Sequence, residues 1–338
     1  MDFLGDFLTF KNHSTVCGLS EELIILYYYK YFLDNDRNVL IVTNNLYDSN
    51  KIFSKLKTYT DDVCLFPMDD FLSSVAIAIS PDLKVKRLET LEHIKNNRKT
   101  IVVTNLMGYL RFLPSKKVSN ELKFKIKKND SINRDKLIEV LDRFGYRRTT
   151  LVTSTGEYAI RGYIIDIFPI ESDNPIRLEF FGDDVDSIRF FNDQTQLSIN
   201  EVDSYTILPF NEIKTENSDS LFDYMEDPFV FFVNYNQILL GYKKICNDIV
   251  DYNESKGIVD GNFYMYNFET FNNVPDAVNF NSKPVVKFKG DYEKFKDYCL
   301  DNKNLYKLVI CLSNDKQIDR ISSLFDSVNI GSIQEKSI

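Results

Sequence analysis

The sequence is poor in residues that bind metals or form disulfide frameworks. It has only two histidines, His13 and His93, and neither has a cysteine or a second histidine at metal-ligand spacing. The cysteines lie far apart, and an odd number without paired spacing is typical of free thiols in a reducing compartment. They are Cys17, Cys64, Cys246, Cys299 and Cys311. This scarcity argues against a zinc site and against a Cys/His nucleophile.

Long apolar runs and a basic leader are also missing. No apolar run approaches the roughly 20 residues that span a bilayer, and the opening MDFLGDFLTF carries two acids where a signal peptide carries lysine or arginine. We therefore expect a cytoplasmic protein with no membrane partner. The net charge of −9 and the isoelectric point near 5.0 make the surface as a whole repel phosphate backbones. Binding to nucleic acid would need a local basic patch.

The chain has the length and pattern of a multi-domain α/β protein. Its 338 residues, 43% of them hydrophobic, are enough for two or three cores. In residues 1–113, the short apolar runs VLIVTNN (39–45) and TIVVTNL (100–106) predict buried strands, and residues 82–96 have apolar side chains at helical spacing. This alternation predicts a parallel sheet covered by helices on both faces.

The segment STVCGLSEELIILYYYKYF (14–32) lies where a nucleotide-binding domain carries its phosphate loop. Such a loop needs G-x-x-x-x-G-K-[ST], because glycine lets backbone N–H groups wrap the phosphates, lysine neutralises them and the hydroxyl holds magnesium. Counted from Gly18, the second glycine, lysine and hydroxyl positions hold Leu23, Ile24 and Ile25. We therefore expect a degenerate phosphate loop that does not bind nucleotide, and no cofactor.

The start of the following helix also disfavours a phosphate. Glu21 and Glu22 fall in the predicted first turn, where their carboxylates occupy the positive end of the helix dipole, and Ser20 is the predicted N-cap. A capped helix without ligand is the interpretation that these residues favour.

Residues 114–206 predict an inserted α+β domain with an antiparallel sheet. A helix over 133–144 has one apolar stripe and ends at Gly145, and several short strands separated by turns follow it. A lysine run precedes the helix, and it is either a solvated edge or a binding site. The run comprises Lys116, Lys117, Lys123, Lys125, Lys127 and Lys128.

Within this domain, the period of two along residues 176–181 separates the side chains onto two faces of a strand. Leu178 and Phe180 point one way, and Arg177, Glu179 and Phe181 point the other. The sequence GDD (182–184) predicts a turn, after which VDSIRFF returns beside the first strand.

Two interpretations of the arginine face stay open. Arg161, on a neighbouring strand, can join Arg177 and Phe181, and an exposed aromatic beside two arginines is the composition of a protein–protein hot spot. Alternatively, Phe181 tucks under the preceding loop and Arg177 pairs with Asp183 or Asp184.

After about residue 207 the chain returns to strand and helix. FVFFVN (229–234) predicts a buried strand, a helix follows at 236–250, and residues 270–284 are the best linker candidate. Beyond the linker, VVKFKG and LYKLVICLSND predict two strands and QIDRISSLF a helix. This is short for a finished domain, so we expect a fragment of a longer protein. The predicted domains are 1–113, 114–206, 207–272 and 284–338.

Taken together, these segments resemble a known family. The run GEYAIRGYIIDIFPI…IRLEFFGDDVDSIRFF (156–191) is similar to the domain shared by the bacterial excision-repair protein UvrB and the transcription-repair coupling factor Mfd. LFPMDDFL, ISPDLKVKRLETL and IVVTNLMGYLRFLP precede it in the order and spacing of the N-terminal UvrB-like region of Mfd. The resemblance covers most of residues 10–215. UvrB keeps an intact phosphate loop and inserts a DNA-gripping hairpin after the first of these pieces, whereas this chain has neither, so Mfd is the better match.

The resemblance implies a fold and a role. The fold is a degenerate RecA/helicase-like, UvrB-type parallel sheet (domains 1a and 1b) with an inserted α+β antiparallel-sheet domain 2 and a small C-terminal α/β domain 3. In Mfd this region is catalytically silent and recruits UvrA through domain 2. The family's recruiting residues, two arginines and a phenylalanine, fall on Arg161, Arg177 and Phe181.

The resemblance also limits what to expect of this chain. The family's RNA-polymerase-binding domain and its ATP-driven translocase on double-stranded DNA lie outside this region. Neither a GKT-type loop nor a DExx acid box occurs in the sequence, so we expect no ATP hydrolysis and no movement on DNA by this chain. Two alternatives remain: a damage-verification ATPase subunit like UvrB, and a structural remnant of a helicase-like fold with no partner surface.

Overall fold

The computed structural model describes most of the chain, which divides into two compact units, residues 1–281 and 282–338. The finer division predicted from the sequence stays a prediction. No described helix is long and apolar enough to cross a membrane. The described residues are 14–70, 81–97, 99–111, 113–170, 172–211, 218–248, 265–269, 277–283, 286–306, 308, 310, 312 and 314–325.

The first unit contains strands and helices, and the described elements of the second unit are helices. The strands in the described residues are β1 (Ser14–Cys17), β2 (Val39–Thr43), β3 (Val63–Phe66), β4 (Ile101–Asn105), β5 (Leu113–Pro114), β6 (Phe124–Lys127), β7 (Arg147–Thr149), β8 (Glu157–Arg161), β9 (Ile164–Ile167), β10 (Ile176–Phe181), β11 (Asp184–Phe191), β12 (Ser198–Glu201), β13 (Ser204–Ile207), β14 (Ser218–Asp219), β15 (Phe229–Val233), β16 (Met265–Glu269) and β17 (Val278–Asn279). The helices are α1 (Glu21–Asp34), α2 (Leu46–Leu56), α3 (Pro81–Asn96), α4 (Leu106–Tyr109), α5 (Lys116–Glu121), α6 (Arg134–Arg143), α7 (Leu221–Tyr224), α8 (Tyr235–Asp248), α9 (Tyr292–Asn302) and α10 (Asp315–Leu324).

A parallel sheet of seven described strands forms the centre of the first unit, in the order β17-β1-β16-β15-β2-β4-β3. Both of its faces are covered: Val39 and Ile41 of β2 lie in one core together with α1, and Leu40 and Val42 lie in a second core with α4 and α7. The α/β class is therefore confirmed. The RecA-like arrangement of the sheet stays a prediction.

One predicted boundary differs from the structure. Val278 and Asn279 lie in the segment predicted as a linker, but they form the edge strand β17, whose partners are Val16 and Cys17 of β1. The asparagine-rich composition favours a loop, whereas pairing with β1 is a tertiary contact that composition does not report. Residues 270–276 of the predicted linker lie outside the described residues.

The second sheet belongs to the segment inserted between β4 and β15. Its strand order is β12-β11-β10-β9-β8-β7, antiparallel except for the parallel pair β7/β8. The predicted helix is α6, capped by Asn133, and it packs Leu137 and Leu141 against one face of this sheet. Gly145 follows its C-cap Phe144 with a left-handed φ of +82°. The predicted antiparallel strands and the helix that covers them are therefore present.

The second unit differs from its predicted pattern. Its described residues form the helices α9 and α10, and the described residues of VVKFKG and LYKLVICLSND are not in strands. Phe288 packs instead on Phe295, with ring centroids 5.3 Å apart, and Phe295 lies 6.1 Å from Phe325. The apolar run thus supplies a ring to a small aromatic core between helices.

Candidate partner-binding surface

The face of the second sheet opposite α6 carries charged side chains. Along β10 the burial alternates as predicted: Leu178 and Phe180 are buried in the core, and Arg177 and Glu179 lie on the other face. Phe181 ends the strand and is 83% exposed. The predicted separation of the two faces is confirmed, and Phe181 does not tuck under a loop.

A buried carboxylate lies at the centre of this face. Asp166 of β9 stands directly opposite Arg177 in the sheet, and its side chain is only 1% exposed. Arg177 donates from Nε to Oδ1 at 2.7 Å and from Nη2 to Oδ2 at 2.9 Å, a bidentate pair. Arg161, on β8, donates from Nη2 to the same Oδ2. The alternative in which Arg177 pairs with Asp183 or Asp184 is therefore wrong.

The two arginines differ in exposure. Arg177 is 13% exposed, and its guanidinium carbon lies 4.3 Å from the centroid of the Phe191 ring, a cation–π contact. Hydrogen bonding to Asp166 raises the pKa of Arg177 above its ordinary value. Arg161 is 42% exposed. Arg177 is thus largely built into the sheet, whereas much of Arg161 faces solvent.

A hairpin loop lies over both arginines. Gln196, in the loop between β11 and β12, accepts through Oε1 from Arg161 Nη2 at 3.3 Å and from Arg177 Nη2 at 3.2 Å. The sequence analysis selects neither Asp166 nor Gln196. Asp166 could have been found, because it is a single acid between the apolar Ile165 and Ile167, and a buried carboxylate requires a charged or hydrogen-bonding partner. Gln196 has no comparable signal.

A second ion pair continues the network along the sheet. Glu179 accepts from Arg189 of β11 and, at 3.0 Å, from the Ser187 hydroxyl. The arginine face is therefore a lattice of alternating charges rather than a uniformly basic patch.

We define the Arg–Phe surface as Arg161, Arg177 and Phe181. The structure places Arg161 and Arg177 together at Asp166, and Phe181 lies four residues from Arg177 along β10, roughly 13 Å at the rise of a strand. The exposed Tyr163 lies beside that end of β10, since its carbonyl accepts from the Phe180 amide at 2.9 Å. The surface thus combines guanidinium donors at one end with apolar area at the other.

The segment predicted to be a degenerate phosphate loop joins β1 to α1. Gly18 has a φ of +72°, and Ser20 caps α1 by accepting from the Leu23 amide. Ile25 is buried in the core and Ile24 packs against it. The positions that would hold lysine and a hydroxyl in a phosphate loop thus carry core side chains.

The first turn of α1 holds its own ion pairs. Glu21 accepts from Lys51 at 2.8 Å and from Lys55 at 2.6 Å, both lysines belonging to α2. These hydrogen bonds lower the pKa of Glu21. The carboxylate predicted to occupy the positive end of the helix is in place, and it is neutralised by two lysines.

Half of the predicted lysine run is engaged in ion pairs. Lys116 contacts Glu226, Lys123 lies 3.5 Å from Glu92, and Lys128 lies 2.7 Å from Glu201. The remaining lysines of the run are exposed. These contacts favour the solvated-edge interpretation.

The described cysteines are free thiols. Cys17 and Cys299 are buried, and burial raises the pKa of Cys64 to about 11. Within the described residues, His, Cys, Asp and Glu form no cluster that could hold a metal ion. The side chain of Cys246 and the residues His13 and Cys311 lie outside the described part.

A family model and several known proteins match this chain. The family model "UvrB interaction domain" matches residues 124–212, which include α6 and the second sheet. The chain is 35% identical over 182 residues to the transcription-repair-coupling factor of Bacillus subtilis (strain 168), covering 53% of this chain and 16% of that protein. It is 31% identical over 199 residues to that of Staphylococcus aureus (strain bovine RF122 / ET3-1), covering 57% and 17%.

A longer alignment extends the similarity. It gives 23% identity over 407 residues with the transcription-repair-coupling factor of Staphylococcus haemolyticus (strain JCSC1435), covering 94% of this chain and 34% of that protein. In these alignments the chain spans between 16% and 34% of the length of its relatives. Its resemblance to the N-terminal UvrB-like region of the transcription-repair coupling factor Mfd is confirmed.

Proposed function

We propose that this chain belongs to a transcription-repair coupling factor and acts there as a non-catalytic adaptor, which recruits UvrA to stalled transcription complexes for nucleotide excision repair. The observation that carries the proposal is the Arg–Phe surface on the domain that matches the UvrB interaction domain. RNA polymerase and double-stranded DNA are proposed partners of the whole protein, contacted outside these residues.

The geometry of the Arg–Phe surface suits an acidic partner with an apolar pocket. Among the described residues, Arg161 makes its hydrogen bonds through Nη2, which leaves Nε and Nη1 available to a partner carboxylate. Phe181 presents nearly its whole ring to solvent, and such a ring contributes most when it is buried at the centre of an interface. Arginine supplies orientation through its fixed donors, and phenylalanine supplies apolar area.

Replacing Phe181 by alanine tests this function. We expect UvrA to bind the parent chain saturably in titration calorimetry and the Phe181→Ala variant about 30-fold more weakly, because an interface anchor contributes roughly 2 kcal/mol or more. The stability of the variant should change by less than about 0.5 kcal/mol, since the ring makes few contacts in the free chain. UvrA from the same organism is the ligand.

Tyr47 of α2 provides the matched control, because it is a similarly exposed aromatic outside the inserted domain. Tyr47→Ala should bind UvrA like the parent. If Phe181→Ala and Tyr47→Ala weakened UvrA binding equally, the loss would not be specific to the Arg–Phe surface. A folded parent that does not bind UvrA would rule out the adaptor function.

The ATPase alternative is disfavoured by the residues of the degenerate loop. Ile24 and Ile25 pack in or against the core, and Glu21 puts a carboxylate in the first turn of α1, the end of a helix at which phosphates bind. We therefore expect no saturable heat when Mg-ATP is titrated into the chain, with a UvrB that has an intact phosphate loop as the positive control. Saturable ATP binding accompanied by hydrolysis would favour the UvrB-like subunit instead.

A further inference from the structure

Gln196 bridges the two arginines of the Arg–Phe surface. Its Oε1 lies 3.3 Å from Arg161 Nη2 and 3.2 Å from Arg177 Nη2. The other end of the amide is fixed, because Nε2 donates to the Asp193 carbonyl at 2.8 Å. That bond turns the oxygen toward the guanidinium groups, so a single neutral acceptor lies between two cations.

Positive charge exceeds negative charge around the Gln196 oxygen. Arg161 and Arg177 share one carboxylate in hydrogen-bonding contact, that of Asp166. The Arg177 bonds to Asp166 are 2.7 and 2.9 Å, and the bonds of both arginines to Gln196 are longer. A carboxylate is a stronger acceptor than an amide for guanidinium donors and forms shorter bonds with them. The position of the Gln196 oxygen is therefore one that favours an anion.

The loop that carries Gln196 holds it in an uncommon conformation. Gln196 has a φ of +61°, in the left-handed region that non-glycine residues rarely adopt. The backbone N–H of Gln196 donates to the Asn192 carbonyl at 2.8 Å, and the Asn192 side chain accepts from the backbone N–H of Thr195 at 2.8 Å. These hydrogen bonds maintain the costly conformation and so fix the part of the loop from which the Gln196 side chain projects.

We propose that Gln196 Oε1 occupies, in the free chain, the position that a partner carboxylate takes in the complex. In the complex, an aspartate or glutamate side chain of UvrA displaces Oε1 of Gln196 and bridges the Nη2 groups of Arg161 and Arg177. Gln196 is then a specificity-determining residue, since a neutral side chain yields its position and an anionic one would retain it. This inference rests on the proposed function.

Gln196→Glu tests the proposal, because it puts a carboxylate of the same length in the bridging position. We expect the variant to bind UvrA at least tenfold more weakly than the parent, and its unfolding temperature to stay close to that of the parent, since shorter bonds to the arginines offset the lost bond from Nε2 to the Asp193 carbonyl. Gln196→Ala vacates the position and should bind at least as tightly as the parent. Both are measured by titration calorimetry and thermal unfolding.

Gln194→Glu is the matched control, because Gln194 is exposed in the same loop and contacts neither arginine in the described structure. It should change the affinity by less than threefold. An equal loss in Gln194→Glu and Gln196→Glu would reflect general charge repulsion and overturn the proposal. A tenfold loss in Gln196→Ala would also overturn it, because Gln196 would then contact UvrA itself.

The proposal and the function on which it rests fail differently. If the parent binds, Phe181→Ala loses binding and Gln196→Glu binds like the parent, then the inference is wrong and the adaptor function stands. If the folded parent does not bind UvrA, both are overturned.

Discussion

Replacing Arg177 by alanine is expected to lower the free energy of unfolding by about 3 kcal/mol, because it leaves a buried carboxylate with half of its ion pairs. Asp166 is almost completely buried, and Arg177 supplies the bidentate contact to it. The variant also loses the cation–π contact with Phe191. Urea denaturation of parent and variant measures the difference.

Arg161→Ala is the matched control, since it removes the other guanidinium from the same carboxylate. Arg161 is more exposed, and Asp166 keeps its bidentate partner, so we expect a loss within about 1 kcal/mol after screening by solvent. Equal losses in the two variants would contradict the different roles assigned to them. Arg161→Ala should therefore leave the fold intact, whereas Arg177→Ala loses stability as well as a donor of the Arg–Phe surface. Binding by Arg177→Ala must therefore be interpreted together with its stability.

Gly156→Ala is expected to cost about 3 kcal/mol. Gly156 has a φ of +83°, and a Cβ atom there would lie 2.5 to 2.6 Å from ring atoms of Phe210. The left-handed conformation costs a non-glycine residue about 1 kcal/mol, and overpacking adds roughly 1 to 3 kcal/mol. The Phe210 ring has little freedom to move, because it packs on Tyr146 and lies under the Lys84 ammonium group.

Gly162→Ala separates the two contributions. Gly162 also has a positive φ, +56°, but a Cβ atom there would meet nothing within 4 Å. We expect this variant to lose only the conformational part, about 1 kcal/mol. If Gly156→Ala and Gly162→Ala had the same urea midpoint, the contact with Phe210 would not be the cause.

Periodicity predicts the elements that local patterns control. The buried runs at 39–45, 100–106 and 229–234 are central strands, and the apolar stripe of 133–144 is the helix that covers the second sheet. The alternation along β10 also predicts which side chains share the face of Arg177, because side-chain direction in a strand depends only on parity.

Contacts between distant segments are not predicted by these patterns. Asp166 meets Arg177 because β9 and β10 pair in one register, and the alternation along a strand gives the face of a side chain but not the residue opposite it. Gln196 reaches Arg161 and Arg177 across 35 and 19 residues of sequence, through the fold of a hairpin loop. The edge strand β17 likewise depends on β1, which lies more than 200 residues earlier in the chain.

The place at which the inserted domain leaves and rejoins the parallel sheet has a mechanical consequence. The insertion begins after β4 and ends before β15, and both of these strands pair with β2. The chain leaves β4 at one end of the parallel sheet and enters β15 at the other, but the two connections are joined on the way, since Leu113 and Pro114 of β5 pair with Asp219 and Ser218 of β14. A pull on the inserted domain would therefore reach the rest of the first unit at one place and be divided between two side-by-side connections, instead of being drawn along β4, β2 and β15 from opposite ends.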